Sequence, residues 1–502
     1  MCLRPTPSIL HKTTTSLLPT ARTMSFASQP FVPSHPSGKT INLLRGWPAP
    51  SLLPPSALAA AMARALANPE ISVPALQYGP DAGFEPLRET LASWTSRFFG
   101  VLPANASRIC VTGGASQSIA NILSSYTDPL VTRSVWMVAP CYFLACPIFE
   151  DAGFGGRLRA VREDEEGIDV DALEAALIRA DEEWVTPPGT PKKAARRKLY
   201  RHVIYLVPTC ANPSGKTMPL SRREALVRLA RRHDALIIAD DVYDFLQWPL
   251  GDLSSTTASS APAAPLPFPP TDPNLRLPRL SDVDALLGPA PADIDPHGFG
   301  HAISNGSFSK IVAPGVRTGW VEATPAFIHG LSQTGATCSG GAPSHLSAVM
   351  LWELLRTGEL ERRLSEVVLP ALRERHSRAV AAIRQYLTPL GVRARESALA
   401  DGGVAGGYFI WITLPEGVSG AAVAERAREA EGLVVGAGSK FEVSGDEDAA
   451  RFDDALRICF SWEDVDDIVL GIERLANAVR DVQDGKVDLT KLKGTGAVYN
   501  EK

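Results

Sequence analysis

The chain has 502 residues, 45% hydrophobic and 21% charged, which is too apolar for a disordered chain and long enough for a large core plus a second lobe. A formal charge of −5 argues against nucleic acid or an acidic membrane as partner, and no apolar run reaches the length of a membrane-spanning helix. The seven cysteines form no CxxC pair and no zinc pattern, so no metal site is expected, and their scatter fits a reducing compartment.

The first acidic residue is Glu70, preceded by Arg4, Lys12, Arg22 and many Ser and Thr. Residues 1–40 therefore read as a mitochondrial transit peptide; the alternatives are a disordered leader, or translation starting at Met24. The folded part is expected from Ile41. Residues 55–68 predict a helix opened by Pro55 and stopped at Asn68-Pro69, and residues 85–99 a second, amphipathic one. Strand-like runs at 108–112, 135–139, 203–207 and 236–239 then alternate with helical patterns such as 221–233. This alternation predicts an α/β fold with a mostly parallel sheet between helices.

Two stretches read as inserts: 181–198, charged and containing Pro187-Pro188-Gly189, and 250–300, rich in Pro, Ala and Ser. Both are expected as partly disordered surface excursions. A long helical region at 343–387, interrupted near Pro370, is expected to lead into a C-terminal domain with strands at 407–413 and 456–460 and a last helix at 463–482. The expected division is an N-terminal segment of a small domain at 41–100, a large domain at 101–345, a linker helix with the rest of the small domain at 346–482, and a polar tail at 483–502.

Four motifs carry chemistry. Ser307-Phe308-Ser309-Lys310 precedes Ala313-Pro314-Gly315-Val316-Arg317-Thr318-Gly319-Trp320. A lysine that forms a Schiff base needs a nucleophilic amine at a fixed place, with donors nearby for an anionic group of the cofactor. The two serines and Arg317 supply those donors; a lone lysine would otherwise be an exposed loop residue. Asp240-Asp241-Val242-Tyr243 ends an apolar strand, where a carboxylate meets a ligand in the crevice beyond the sheet. A bound pyridine keeps its ring nitrogen protonated only beside a buried anion, and Asp240 is the candidate. Tyr243 is spaced to reach the ring oxygen, although a helix cap with a core tyrosine would read the same way. Pro208-Thr209-Cys210-Ala211-Asn212-Pro213-Ser214-Gly215 is by itself an ordinary turn. Thr112-Gly113-Gly114-Ala115-Ser116 sits between strand and helix, where backbone N–H groups and the helix dipole can hold a phosphate.

Together, and in this order, these motifs resemble the fold-type I aminotransferases of class I/II over roughly residues 41–480. The lysine run is most similar to the branch with 2-aminoadipate and kynurenine aminotransferases and multi-substrate fungal enzymes. The resemblance implies a large domain with a mostly parallel seven-stranded sheet and a smaller α+β domain built from both ends of the chain. It implies pyridoxal 5'-phosphate (PLP) held by Lys310, with Asp240 at the ring nitrogen, Tyr243 and Asn212 at the ring oxygen, and Tyr142 stacked on the ring. Ser307, Ser309, Arg317, Ala115 and Ser116 would hold the phosphate. Tyr78 would reach the phosphate of a neighbouring subunit, giving a homodimer with shared active sites. Arg457 would clamp the substrate α-carboxylate, near Asn212 and Gly46 of the N-terminal substrate loop. Tyr142 as plain core and Arg457 paired with Asp453 or Asp454 are the competing readings.

The chain departs from the family at Trp47, in place of a small apolar residue, and at Ala115, which lacks a hydroxyl. Arg45 would suit a side-chain carboxylate of the substrate, and Trp47 an aromatic or long aliphatic one. The implied reaction moves an amino group from an L-amino acid to a 2-oxo acid, in the cytoplasm or, with a working leader, the mitochondrion. A PLP-dependent lyase or decarboxylase would use the same lysine and aspartate. A non-enzymatic PLP-binding regulator would need a DNA-binding segment, and no basic helix-turn-helix precedes residue 41.

Overall fold

The computed structural model describes residues 38–193, 197–251 and 264–486. The leader at 1–37, most of the polar tail and residues 252–263 of the second expected insert lie outside the described residues.

The central sheet contains β1 (Ile109–Thr112), β2 (Ser134–Ala139), β3 (Leu158–Asp164), β4 (His202–Leu206), β5 (Ala235–Asp240), β6 (Ala302–Ser307) and β7 (Gly319–Glu322). Their spatial order is β1-β7-β6-β5-β4-β2-β3, and the two-residue strand Gly167–Ile168 adds an eighth at the outer edge. Neighbours from β6 to β3 run parallel, whereas β7 is antiparallel to both β1 and β6. β4 and β5 are buried along their whole length, and their runs of Val, Ile and Leu suit strands covered by helices on both faces. β3 was not expected from the sequence: it reads Leu-Arg-Ala-Val-Arg-Glu-Asp, an edge strand with much of one face in solvent. β6 was also not expected as a strand, because Ala-Ile-Ser-Asn-Gly-Ser is short of apolar side chains although every residue is buried.

The smaller sheet pairs β8 (Phe409–Thr413) with β9 (Ala455–Cys459) antiparallel, flanked by Arg393–Ala394 and Gly436–Ala437. Helices Gly420–Glu431 and Val465–Gln483 pack together beside it. The N-terminal strand Ile41–Asn42 runs parallel to Leu433–Val434, so the beginning of the described chain joins the C-terminal lobe.

Asn68 ends the helix Pro55–Ala67, and its side chain also accepts from Glu70 N to start another helix, Pro69–Ala75, that the sequence reading had not separated. The long helical region is interrupted twice, once well before Pro370 and once, as expected, next to it. Helix His345–Arg356 stops at Thr357, and Gly358 turns the chain at φ 71°. Near Pro370 the regular helix gives way to the π-helical turn Leu364–Val368, directly before Leu369–Ala382, with Pro370 at the second position of that helix. The second insert also differs from expectation. Its described part, 264–300, is packed: Leu266, Leu275, Leu280 and Val283 are buried. Helix Leu280–Leu286 docks on Leu220–Arg232 through Arg231 and Asp284, and the buried Arg279 bridges Asp282 and Glu322. The proline-rich composition concealed enough apolar side chains and ion pairs to bury a segment.

Candidate active site at the carboxyl edge of the sheet

β1, β5 and β6 end on one edge of the sheet at Thr112, Asp240 and Ser307. Gly319, the first residue of β7, pairs with both Thr112 and Ser307. This register brings the glycine turn, the serine–lysine run and Arg317 together at the crevice where parallel sheets bind ligands.

Lys310 follows β6 by three residues. Its Nζ donates to Gly46 O at 2.8 Å and lies 5.3 Å from the centre of the Tyr408 ring, while the Tyr408 hydroxyl donates to Lys310 O at 3.2 Å. Burial pulls the Lys310 amine down to about 8; Arg457 acts in the same direction, against Cys459 and Asp240. Asp240 is 5% exposed. Its Oδ2 accepts from the Tyr205 hydroxyl at 2.9 Å, and its Oδ1 has no partner. Burial raises this carboxyl to about 6, with Tyr205 and Lys310 opposing and Asp244 assisting.

Arg457 projects from β9 and is 4% exposed. Its Nη1 donates to Asn212 Oδ1 at 2.7 Å and its Nη2 to Leu44 O at 2.6 Å, while Nε is buried without a partner. Phe409 and Phe441 flank the guanidinium, with ring centres 4.0 and 4.7 Å away. Burial draws it down to about 10. Arg457 pairs with neither Asp453 nor Asp454: its two hydrogen bonds go to neutral oxygens, which leaves its charge available to a ligand. Gly46 is needed here, because a Cβ on it would come within 2.7 Å of Phe409 Cζ.

At the other end of the site, helix Ala115–Tyr126 starts after Gly114, with no side-chain cap and no acidic residue in its first turn. Its free N–H groups, at Ala115 and Ser116, suit an anion. Arg317, in the left-handed region at φ 45°, places Nη2 3.3 Å from Gly113 O. Ser307 Oγ donates to Ser309 Oγ at 3.0 Å and accepts from Ser309 N at 3.1 Å. Asn305 Nδ2 donates to Ala115 O at 3.1 Å, which ties the helix start to β6.

Tyr142, Asn212 and Tyr205 line one small cavity, and burial, reinforced by Asp240, pushes the Tyr142 phenol up to about 12. Tyr243 is buried against Tyr408 and Phe409, with ring centres at 5.5 and 6.2 Å. Tyr78 stands apart: it is 88% exposed and its ring neighbours Gly340 rather than Lys310. The fold thus brings Lys310, Asp240, Tyr243, Asn212, Tyr142 and Arg457 to one region at the edge of the sheet, with Asp240, Tyr243, Asn212 and Arg457 buried and Lys310 and Tyr142 partly buried. The set Ala115, Ser116, Ser307, Ser309 and Arg317 sits beside it, and Tyr78 is not brought in by the single chain. Sequence reasoning missed Tyr205, Tyr408, Phe409 and Cys459. Tyr205 carried a faint signal, as the one hydroxyl inside the apolar run of β4.

A buried carboxylate with one free oxygen, an amine with a lowered pKa and an uncapped helix start beside an arginine fit a phosphorylated pyridine aldehyde. A family model for aminotransferase class I and II matches residues 41–472. The Saccharomyces cerevisiae protein YER152C is 33% identical over 456 residues, covering 87% of this chain and 96% of its own. Aromatic-amino-acid aminotransferase 1 of Thermococcus litoralis is 27% identical over 444 residues, 88% of each chain. The crystal structure of LysN, the alpha-aminoadipate aminotransferase of Thermus thermophilus complexed with N-(5'-phosphopyridoxyl)-L-leucine, superposes with a TM-score of 0.66 at 26% identity, covering 89% of this chain and 93% of that one. The chain therefore belongs to the class I and II aminotransferases and is a PLP-dependent transaminase.

Proposed function

We propose that the chain transfers the amino group of a long-side-chain L-amino acid, aromatic or of 2-aminoadipate length, to a 2-oxo acid, with Lys310 as the residue that carries the cofactor and moves the proton. The observation that carries this reading is the partly buried Lys310 amine, held by Gly46 O near Asp240 and Arg457 and drawn down to about 8.

Bound PLP supplies an electron sink for the pair released when a bond at the substrate Cα breaks. Lys310 has the position and basicity to hold the cofactor and then to take and return the Cα proton, because its neutral form is abundant near pH 8. Asp240 offers Oδ1 to the ring nitrogen. Tyr243 and Asn212 would serve the ring oxygen, and Tyr142 would pack against the ring. Ser307, Ser309, Arg317 and the amides of Ala115 and Ser116 take the phosphate. Arg457 binds the α-carboxylate as a fork, preset by Asn212 and Leu44 O, with the Gly46 loop closing the pocket.

The side chain of the substrate is assigned to the rim, where the Arg45 guanidinium lies 4.9 Å from the ring centres of both Trp47 and Trp462. The names of the related enzymes, for aromatic amino acids and alpha-aminoadipate, are consistent with long substrates.

Tyr78 is assigned to the phosphate of a second copy, in a homodimer with shared sites. Its exposure supports this, together with Val73 at 62% and Leu76 at 65% in the same segment. The large domain is taken as 101–345 and the small one as 41–100 with 346–482. Among the described residues no helix is long and apolar enough to cross a membrane, and we place the enzyme in the cytoplasm, or in the mitochondrion if residues 1–40 target it.

Titration of the holoenzyme with a panel of amino acids tests the substrate. Long side chains should convert the cofactor band and release a 2-oxo acid without ammonia. Lys310→Ala should lower turnover by at least about 1,000-fold; retained turnover refutes its role.

A further inference from the structure

We propose that Tyr205 is a positioning residue of this active site: its hydroxyl occupies one oxygen of Asp240 and so directs the other to the ring nitrogen of the cofactor. The inference rests on the assignment of Asp240 to that nitrogen.

The register of β4 and β5 explains the contact. Tyr205 lies opposite Ile238 and Leu206 opposite Ala239 in parallel pairing. Side chains two residues apart share a face, so Asp240 projects on the face of Tyr205 and about 6.6 Å further along the strand. A phenol spans that gap, and the hydroxyl meets Oδ2 at 2.9 Å. The ring is fixed: Tyr205 is 2% exposed and Phe149 packs edge-on at 5.5 Å. Burial raises the phenol well above its ordinary value, so it stays protonated and donates.

The consequence is electrostatic. Asp240 is buried and has a second buried carboxyl, Asp244, near enough to disfavour its charge. A donated hydrogen bond favours the charged form and opposes both effects. Without it, Asp240 becomes a stronger base and draws the ring proton onto itself, and the cofactor loses the positive charge that draws electrons. Tyr205 acts through Asp240, to which its hydroxyl donates.

The test reconstitutes apoenzyme with PLP labelled with nitrogen-15 in the ring and follows the ring-nitrogen NMR shift against pH. It compares wild type, Tyr205→Phe, Asp240→Asn and Phe149→Leu. Phe149→Leu loosens the same packing without touching the carboxylate. Tyr205→Phe should lower the pH at which the ring nitrogen deprotonates by about one unit and weaken cofactor affinity about ten-fold. It should lower kcat while leaving KM for the amino acid within about two-fold. Phe149→Leu should lower Tm and leave the ring titration at its wild-type position. If Asp240→Asn moves the ring titration and Tyr205→Phe does not, or if Phe149→Leu moves it as far as Tyr205→Phe, the positioning role is refuted while Asp240 keeps its own. If neither Asp240→Asn nor Tyr205→Phe moves it, the assignment of Asp240 falls, and the inference with it.

Discussion

At the scale of single residues, the site is governed by the cost of burying charge. Lys310 and Arg457 are two cations in one region, and both are drawn down by burial. A lysine whose folded pKa lies below its usual 10.5 carries the neutral amine at lower pH than its surface counterparts. In the apoenzyme, labelling of Lys310 by reductive alkylation should therefore rise with pH and level off above about 8. Exposed lysines should keep rising towards their higher value. Peptide mass spectrometry across pH 6–11 reads this, and an inflection of Lys310 near 10 would contradict the partly buried amine. Arg457 depends on shape as much as on charge. Arg457→Lys keeps a cation but loses the fork that reaches Asn212 and Leu44 O, so KM for the amino acid should rise about 10- to 100-fold in steady-state kinetics.

Elements set the accuracy of the site. The carboxyl ends of β1, β5 and β6 place their functional residues by register, and the turn at Gly113-Gly114 opens an uncapped helix onto the same edge. Gly114 has φ 96°, and a Cβ there would stand 2.9 Å from Arg317 Nη2. Gly114→Ala should therefore strain the turn and displace the arginine together. PLP affinity measured by apoenzyme titration should drop about ten-fold or more, with far-UV circular dichroism unchanged; wild-type affinity would mean that this turn does not hold the phosphate. The local motifs were legible at this level because strand end, turn and helix start follow one another in sequence. β3 and β6 were not, because an edge strand with charges and a strand of small polar residues both lack an apolar pattern. The packed part of the second insert was hidden in the same way, since its proline-rich composition reads as a loop whereas Leu275, Leu280 and Val283 are core.

For the whole molecule, the decisive feature is that the N-terminal and C-terminal parts close over the sheet. Lys310 meets Gly46 across a sequence separation of 264 residues, and Arg457 meets Leu44 across 413. We propose that a second copy completes the site through Tyr78, which stands exposed beside Val73 and Leu76 in one segment. Tyr78→Phe should weaken PLP binding about ten-fold by removing one hydrogen bond to a charged phosphate, while light scattering still gives twice the mass of the chain. A monomer in wild type, or unchanged affinity in the variant, would remove the shared-site proposal.

The sequence by itself determined the class of chemistry and named local candidates to carry it. Lys310 with Ser307, Ser309 and Arg317, and Asp240 with Tyr243, lie within a few residues of one another, where backbone geometry alone sets their spacing. Only the tertiary structure decided which partners complete them: the Gly46 carbonyl on Lys310, the Asn212 amide oxygen on Arg457 and the Tyr205 hydroxyl on Asp240. Those contacts follow from strand register and from the closure of two distant chain ends over the sheet. Both are products of burying the whole apolar core, which no local window of sequence contains.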